Sequence, residues 1–310
     1  MFAKRSWLRV GVAAATLMVI LAVCVGWSRS STPDTGAHDG AGVRYYVSIG
    51  DSYATGYRPT GPDGAGTSRD GFVYQVGDKL SEKHTGWQIV NFACTGETSY
   101  GMAFDDGCQP SAGALDGPQY PSVPQAVAAV DFIVKHREQI GLITIVAGAN
   151  DLSHCIDEPD AEAARRCAES QVPKVTLSLG SLLGHIRDAL GPGAPIVGLS
   201  YINVFGADAL SANSQLVQRA RYSSTLFKNY LTPALAATYA RYGAMFVDTT
   251  ELAGGNLPDT VKSWLPDHGT VPASIGQVCA LTYYCSDKDP HPNRSGHALI
   301  AGAVERLSGL

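Results

Sequence analysis

Short apolar runs of strand length alternate along this chain with longer stretches of helical spacing. Tyr45–Ile49, Trp87–Ala93, Gly141–Ala147, Pro195–Tyr201 and Ala244–Asp248 are rich in β-branched and aromatic residues and lack strict polar alternation. Strands buried on both faces of a sheet read this way. Between and after them, Phe72–Lys83, Val123–His136, Val175–Leu190, a stretch around Gln218–Tyr242 and Ser295–Leu307 show the spacing of helices that bury one face. This alternation predicts right-handed crossovers and an α/β fold with a parallel sheet of about five strands covered on both sides. No internal repeat and no second domain is visible.

The first three runs end in polar turns: Gly50-Asp51-Ser52-Tyr53, then Cys94-Thr95-Gly96-Glu97-Thr98, then Gly148-Ala149-Asn150-Asp151. Open parallel sheets hold ligands beyond the carboxyl ends of their strands. Taken alone, Asp51-Ser52 reads as a helix cap; Ser52 becomes a nucleophile only if other chemistry converges on it.

Ahead of the first run, Phe2–Arg9 is basic and Val10–Trp27 is uncharged and apolar, the order of a secretory signal. The apolar stretch approaches the length of a membrane span and no clean small-residue cleavage site follows, so residues 1–27 are expected to act as a signal peptide or as an uncleaved anchor. Cys24 suggests lipidation, but the bulky Val23 before it departs from that pattern. The small, polar segment Ser28–Gly42 predicts a flexible linker over 28–43, leaving 44–310 as the folded domain. The chain carries a net charge of −5, and no Lys/Arg cluster or phosphate-binding loop occurs. Nucleic acid is thereby excluded as a partner, and a neutral or modestly polar small molecule, lipid or glycan is expected instead. The sequence says nothing on oligomeric state, and a monomer is the expectation.

Six cysteines remain besides Cys24, and each has a neighbour close in sequence: Cys94 with Cys108, Cys155 with Cys167, Cys279 with Cys285. In an exported chain an even count predicts disulfides, each adding about 2–4 kcal/mol by constraining the unfolded chain. There is no CxxC pair and no Cys/His spacing suited to zinc, so neither a metal nor another cofactor is expected.

Acyl transfer from an ester needs a nucleophile, a base, a group that orients the base, and donors for the oxyanion. Ser52 can be the nucleophile and His291, in Asp289-Pro290-His291-Pro292-Asn293, the base. The backbone N–H groups of Ser52 and Gly96 and the Asn150 amide can supply the oxyanion hole. Together, GDSY at Gly50–Tyr53, the turn bearing Gly96, GAND at Gly148–Asp151 and DPHPNRSGH at Asp289–His297 resemble the SGNH/GDSL hydrolase family, in order and over nearly all of residues 44–310. The resemblance implies a flavodoxin-like α/β/α sandwich, serine ester hydrolysis and signature roles for Ser52, Gly96, Asn150 and His291; secreted actinobacterial members with paired cysteines look nearest.

The family's usual acid lies three residues before the histidine, where this chain has Lys288. Asp289 is the expected substitute, with Asp287 as runner-up and a backbone carbonyl as the third way to hold the imidazole tautomer. His154 reads as a solvated loop residue and His297 as helix surface or packing. Asp51 and Asp151 read as residues that tie turns. An α/β-hydrolase would require a GxSxG elbow in mid-chain, which is absent. Acyl transfer to a sugar or lipid alcohol could use the same site, and a non-catalytic binding module would not need Ser52, Asn150 and His291 intact.

Overall fold

The computed structural model describes residues 42–61, 64–105 and 107–310. The expected signal or anchor, Cys24 and most of the linker lie outside them. Among the described residues no helix is long and apolar enough to cross a membrane.

Five parallel strands, β1 (Arg44–Gly50), β2 (Trp87–Asn91), β3 (Ile140–Val146), β4 (Ile196–Leu199) and β5 (Met245–Val247), form one sheet in the order β2-β1-β3-β4-β5. This is the flavodoxin-like order, whose switch point lies between β1 and β3. Burial explains why these runs lack alternation: all of β3 and the last five residues of β1 are buried. Inside the sheet, the Tyr46 hydroxyl pairs with Thr144 Oγ1 at 2.9 Å, and Thr144 in turn bonds Ser48. These buried hydroxyls satisfy one another, as a dry interior requires.

The helices are α1 (Ser52–Thr55), α2 (Phe72–Lys83), α3 (Ser99–Phe104), α4 (Gln125–Lys135), α5 (Ala149–Ile156), α6 (Ala161–Leu190), α7 (Ser214–Leu226), α8 (Thr232–Arg241), α9 (Thr249–Leu252), α10 (Ala273–Leu281), α11 (Tyr284–Asp287) and α12 (Arg294–Ser308). One layer is built on α2 against α12, and the other on α6, which touches α3, α4, α5 and α8.

Three elements differ from the sequence reading. Helix α6 starts at Ala161, not Val175, because Asp160 caps it through Ala163 N–H and it continues through Pro173. Ahead of Val175 it buries only Ala164 and Ala168 and carries Arg165 and Arg166 paired with Glu162 and Glu169, so no apolar stripe marks it. The stretch around Gln218–Tyr242 is α7 and α8 joined by a π turn at Phe227–Leu231. A two-stranded antiparallel ribbon, β6 (Lys262–Leu265) with β7 (Gly269–Pro272), was not foreseen; these strands are short and partly exposed, and carry little periodic signal.

All three expected disulfides form, with Cα separations of 5.7, 5.4 and 5.1 Å in chain order. Cys94–Cys108 closes the loop under Gly96, Cys155–Cys167 ties α5 to α6, and Cys279–Cys285 ties α10 to α11 just ahead of His291.

A partly buried ionic knot joins the 3₁₀ stretch Val204–Leu210 to α7 and α11, with Asp208 and Tyr284 buried and Arg219 partly exposed, where it also meets Asp157. Arg219 Nε donates to Asp208 Oδ2 at 2.7 Å, the Tyr284 hydroxyl donates to Asp208 Oδ1 at 2.8 Å, and Arg219 also reaches the Tyr284 oxygen at 2.7 Å. The guanidinium lies 5.3 Å from the Phe205 ring centre. Removing one partner of a buried pair strands the other charge, which costs more than the pair itself contributes. Arg219→Ala is therefore expected to lower unfolding stability by about 3–5 kcal/mol in urea titrations, with most of that loss absent in an Arg219→Met, Asp208→Leu double variant. A loss under about 1 kcal/mol for Arg219→Ala would contradict this account.

Candidate active site

Strand β1 ends where three elements crowd it. Gly50 N–H donates to Gln125 Oε1 and Gln125 Nε2 donates back to Gly50 O, both at 2.9 Å, while Cys94 N–H reaches the same carbonyl at 3.0 Å. A Cβ at Gly50 would fall 2.6 Å from Val146 Cγ1 and 2.7 Å from Val146 O, so only glycine fits between β1 and β3. The chain then turns into α1, with Asp51 Oδ1 accepting from Tyr53 N–H, and Ser52 emerges buried but at a cavity wall.

The second turn supplies Gly96 at φ 85°, a left-handed conformation that suits glycine. Among the described residues its N–H donates no hydrogen bond within the protein. The third turn supplies Asn150, whose Nδ2 donates to Glu97 O at 2.8 Å, beside Gly96. One amide hydrogen is thus used to fix the side chain, and the other is free. Asp151 completes the brace, its two carboxylate oxygens accepting from Ser99 N–H at 2.9 Å and Ser99 Oγ at 2.7 Å. The turn-tying reading of Asp51 and Asp151 matches these contacts.

The last turn brings His291. Asp289 Oδ1 accepts from His291 N–H at 3.0 Å and lies 2.7 Å from ring Nδ1; with Nδ1–H as the donor, Nε2 is the nitrogen left to accept a proton, and it has no hydrogen-bond partner among the described residues. Burial acts to raise the Asp289 carboxyl, but its bonds to His291 outweigh this and hold it below the usual range. Asp287 instead accepts from Ser286 Oγ, and Lys288 takes a left-handed conformation at φ 58° with its ammonium 5.5 Å from the Tyr284 ring centre. The turn is pinned by Tyr283 N–H to His291 O and Asn293 N–H to Leu281 O, and Tyr57 packs on the imidazole with ring centres 4.6 Å apart.

Ser52, Asn150 and His291 line one cavity of about 90 Å³, together with Asp51, Tyr201 and an apolar wall of Ile156, Ile202, Val204, Phe205 and Phe227. Asp289 stands behind the imidazole, and Gly96 is joined to the cavity through Glu97 and Asn150. No hydrogen bond joins the Ser52 hydroxyl to His291 among the described residues; such contacts commonly tighten only with substrate in place. A larger hollow of about 470 Å³ lies at Arg44, Arg137 and Asp188, around the amino-terminal end of β1, far from these groups.

Several residues here carried no sequence signal. Gln125 clamps Gly50 from far along the chain, and Tyr201 donates to Asp51 Oδ2. His297 is fully buried near Phe72 and Tyr53, with neither ring nitrogen bonded among the described residues, and burial followed by the nearness of His291 pushes its pKa down to about 3. It is a neutral packing residue. His154 is exposed, and its neighbours Cys155 and Cys167 are joined to each other, so this cluster has no free thiolate for a metal.

The sheet order, with a serine, an amide and an imidazole gathered at its switch point, defines the class as the SGNH-hydrolase fold. Residues 48–299 match the GDSL-like Lipase/Acylhydrolase family, and the chain belongs to that family, whose reaction class is acyl ester hydrolysis. No curated protein matches the chain. Among solved structures, the lipase Lip_vut3 from a goat rumen metagenome is similar at 16% identity and TM-score 0.51, over 86% of this chain and 98% of its own. An extracellular lipase from Streptomyces rimosus aligns at 15% identity and TM-score 0.49, over 86% and 100%. The acetylxylan esterase Axe2 from Geobacillus stearothermophilus aligns at 17% and 0.44, over 86% and 94%.

Burial raises Asp51 from 3.8 to about 6, against the lowering effect of its bonds from Tyr201 and Tyr53. A raised acid holds a proton in the native state that the unfolded chain has released, so its contribution is complete below about pH 4 and is lost as pH rises to about 6. Asp51→Asn should therefore gain on wild type by about 2–3 kcal/mol between pH 4 and pH 7 in paired denaturation curves, whatever its absolute offset. Parallel pH profiles for the two proteins would refute this assignment.

Proposed function

We propose that this protein is a serine esterase that acts outside the cytoplasm and cleaves carboxylic esters through an acyl-enzyme intermediate. The observation that carries the reading is the Asp289–His291 bond of 2.7 Å, which commits Nδ1 and leaves Nε2 as a base in the cavity that holds Ser52 and Asn150. His291 Nε2 takes the Ser52 proton as Oγ bonds to the ester carbonyl carbon. The oxyanion forms against the N–H groups of Ser52 and Gly96 and the free hydrogen of the Asn150 amide. The imidazolium, stabilised by Asp289, passes its proton to the departing alkoxide. Water, deprotonated by His291, then attacks the acyl carbonyl, and release of the acid restores Ser52. The disulfides support an oxidising compartment, where such bonds persist. Residues 10–27 would deliver the domain there with their basic end inside, whether or not they are removed afterwards.

Purified protein should react with a fluorophosphonate probe and hydrolyse chromogenic esters. Ser52→Ala and His291→Ala should each abolish both, and Asn150→Ala should lower kcat by on the order of 10²–10³. Wild-type turnover by Ser52→Ala would overturn the mechanism.

Asp289→Asn is expected to reduce kcat by on the order of 10²–10⁴ with little change in KM, because the imidazolium it stabilises exists only on the way to the transition state. Asp287→Asn should stay near wild type. The reverse ranking would move the orienting role to Asp287, and full rates in both would assign it to a backbone carbonyl.

A further inference from the structure

The apolar wall of the Ser52 cavity is thin. Ile202 and Val204 face the cavity, whereas Asn203 between them lines a second hollow of about 250 Å³ with Ser224, Lys228 and Thr250. Phe227 borders both spaces and is 6% exposed. Its place is set by the backbone: Thr232 N–H bonds Phe227 O, the five-residue step of a π turn, where α7 gives way to α8. Such turns re-aim one side chain within a helix and recur at functional sites.

We infer that Phe227 is the partition that ends the acyl pocket, and that the protein is selective for short acyl groups of about two to four carbons. The inference rests on the serine-esterase reading above and gives that reading its substrate class. At about 90 Å³ this cavity is the smaller of the two spaces that Phe227 borders, the other being about 250 Å³. An acetyl to butanoyl chain fills such a space against Ile156, Ile202, Val204 and Phe205, and a longer chain meets the Phe227 ring. The second hollow also has Phe227 in its wall, so shortening this side chain is expected to extend the acyl space toward it.

The test is kcat/KM for p-nitrophenyl esters from acetyl to dodecanoyl, measured on wild type, Phe227→Leu and Phe227→Ala in the full domain. Wild type should fall by about tenfold or more once the chain outgrows the pocket, since a hydrophobic pocket discriminates about 10–200-fold per misfitting methylene. In Phe227→Ala the octanoyl-to-acetyl ratio should rise at least about tenfold, with Phe227→Leu between. Because Phe227 is also a core residue, Phe227→Leu carries the test if Phe227→Ala does not fold. A general loosening of the fold would lower all esters together; only a changed ratio marks a partition. Equal wild-type rates on acetyl and octanoyl esters, or a ratio unmoved in the folded variants, would overturn the inference while leaving the esterase reading standing. Hydrolysis of no ester, with no fluorophosphonate labelling, would instead remove the esterase reading itself.

Discussion

A strand that stops in the middle of a sheet leaves a buried N–H and C=O that must find partners, and at Gly50 both are taken by the side chain of Gln125. The same carbonyl accepts from Cys94, so the exits of β1 and β2 share one atom, and Val146 of β3 presses directly on the glycine. Three strand ends are thereby locked at one point. The segments that follow bear Ser52, Gly96 and Asn150, and this lock works together with the bonds between them, Asn150 to Glu97 O, Ser99 to Asp151 and Thr55 to Thr95. Fixed strand ends of this kind suit the proposed oxyanion hole, whose donors must stand in place before charge develops.

The acids around the site show how environment separates identical groups. Asp51 is buried with only hydroxyl and amide donors and is pushed toward neutrality; Asp289 receives two hydrogen bonds from His291 and is held ionised. Asp208, also buried, accepts from both Arg219 and Tyr284. Proximity to the serine therefore does not by itself make a carboxylate part of a proton relay. Asp51 is the nearest acid in sequence and serves the helix cap.

Much of this arrangement was legible from the chain alone, because the determinants are local: a glycine and a polar residue at a strand end, a histidine between two prolines, cysteines a few residues apart. Strands buried on both sides announce themselves as unbroken apolar runs. What stayed hidden depends on tertiary contact. The first half of α6 is held by alanines, ion pairs and a disulfide, none of which produces a hydrophobic period. Gln125 looks like any polar residue at a helix start, and nothing in Leu226-Phe227-Lys228 signals a π turn or a wall shared by two cavities. His297 has the spacing of a helix-surface residue and is buried only because α12 packs on α2.

Chain order has a consequence for biosynthesis. Ser52 is among the first parts of the domain to be made, whereas His291 directly precedes α12, which packs on α2 where Glu305 meets Lys79 and Lys83. Growing chains add their N-terminal portion first. On the proposed reading, a polypeptide that stops short of His291 carries the serine with no base beside it. On the serine-esterase reading, the reactive pair therefore exists only where the two ends of the domain have folded together.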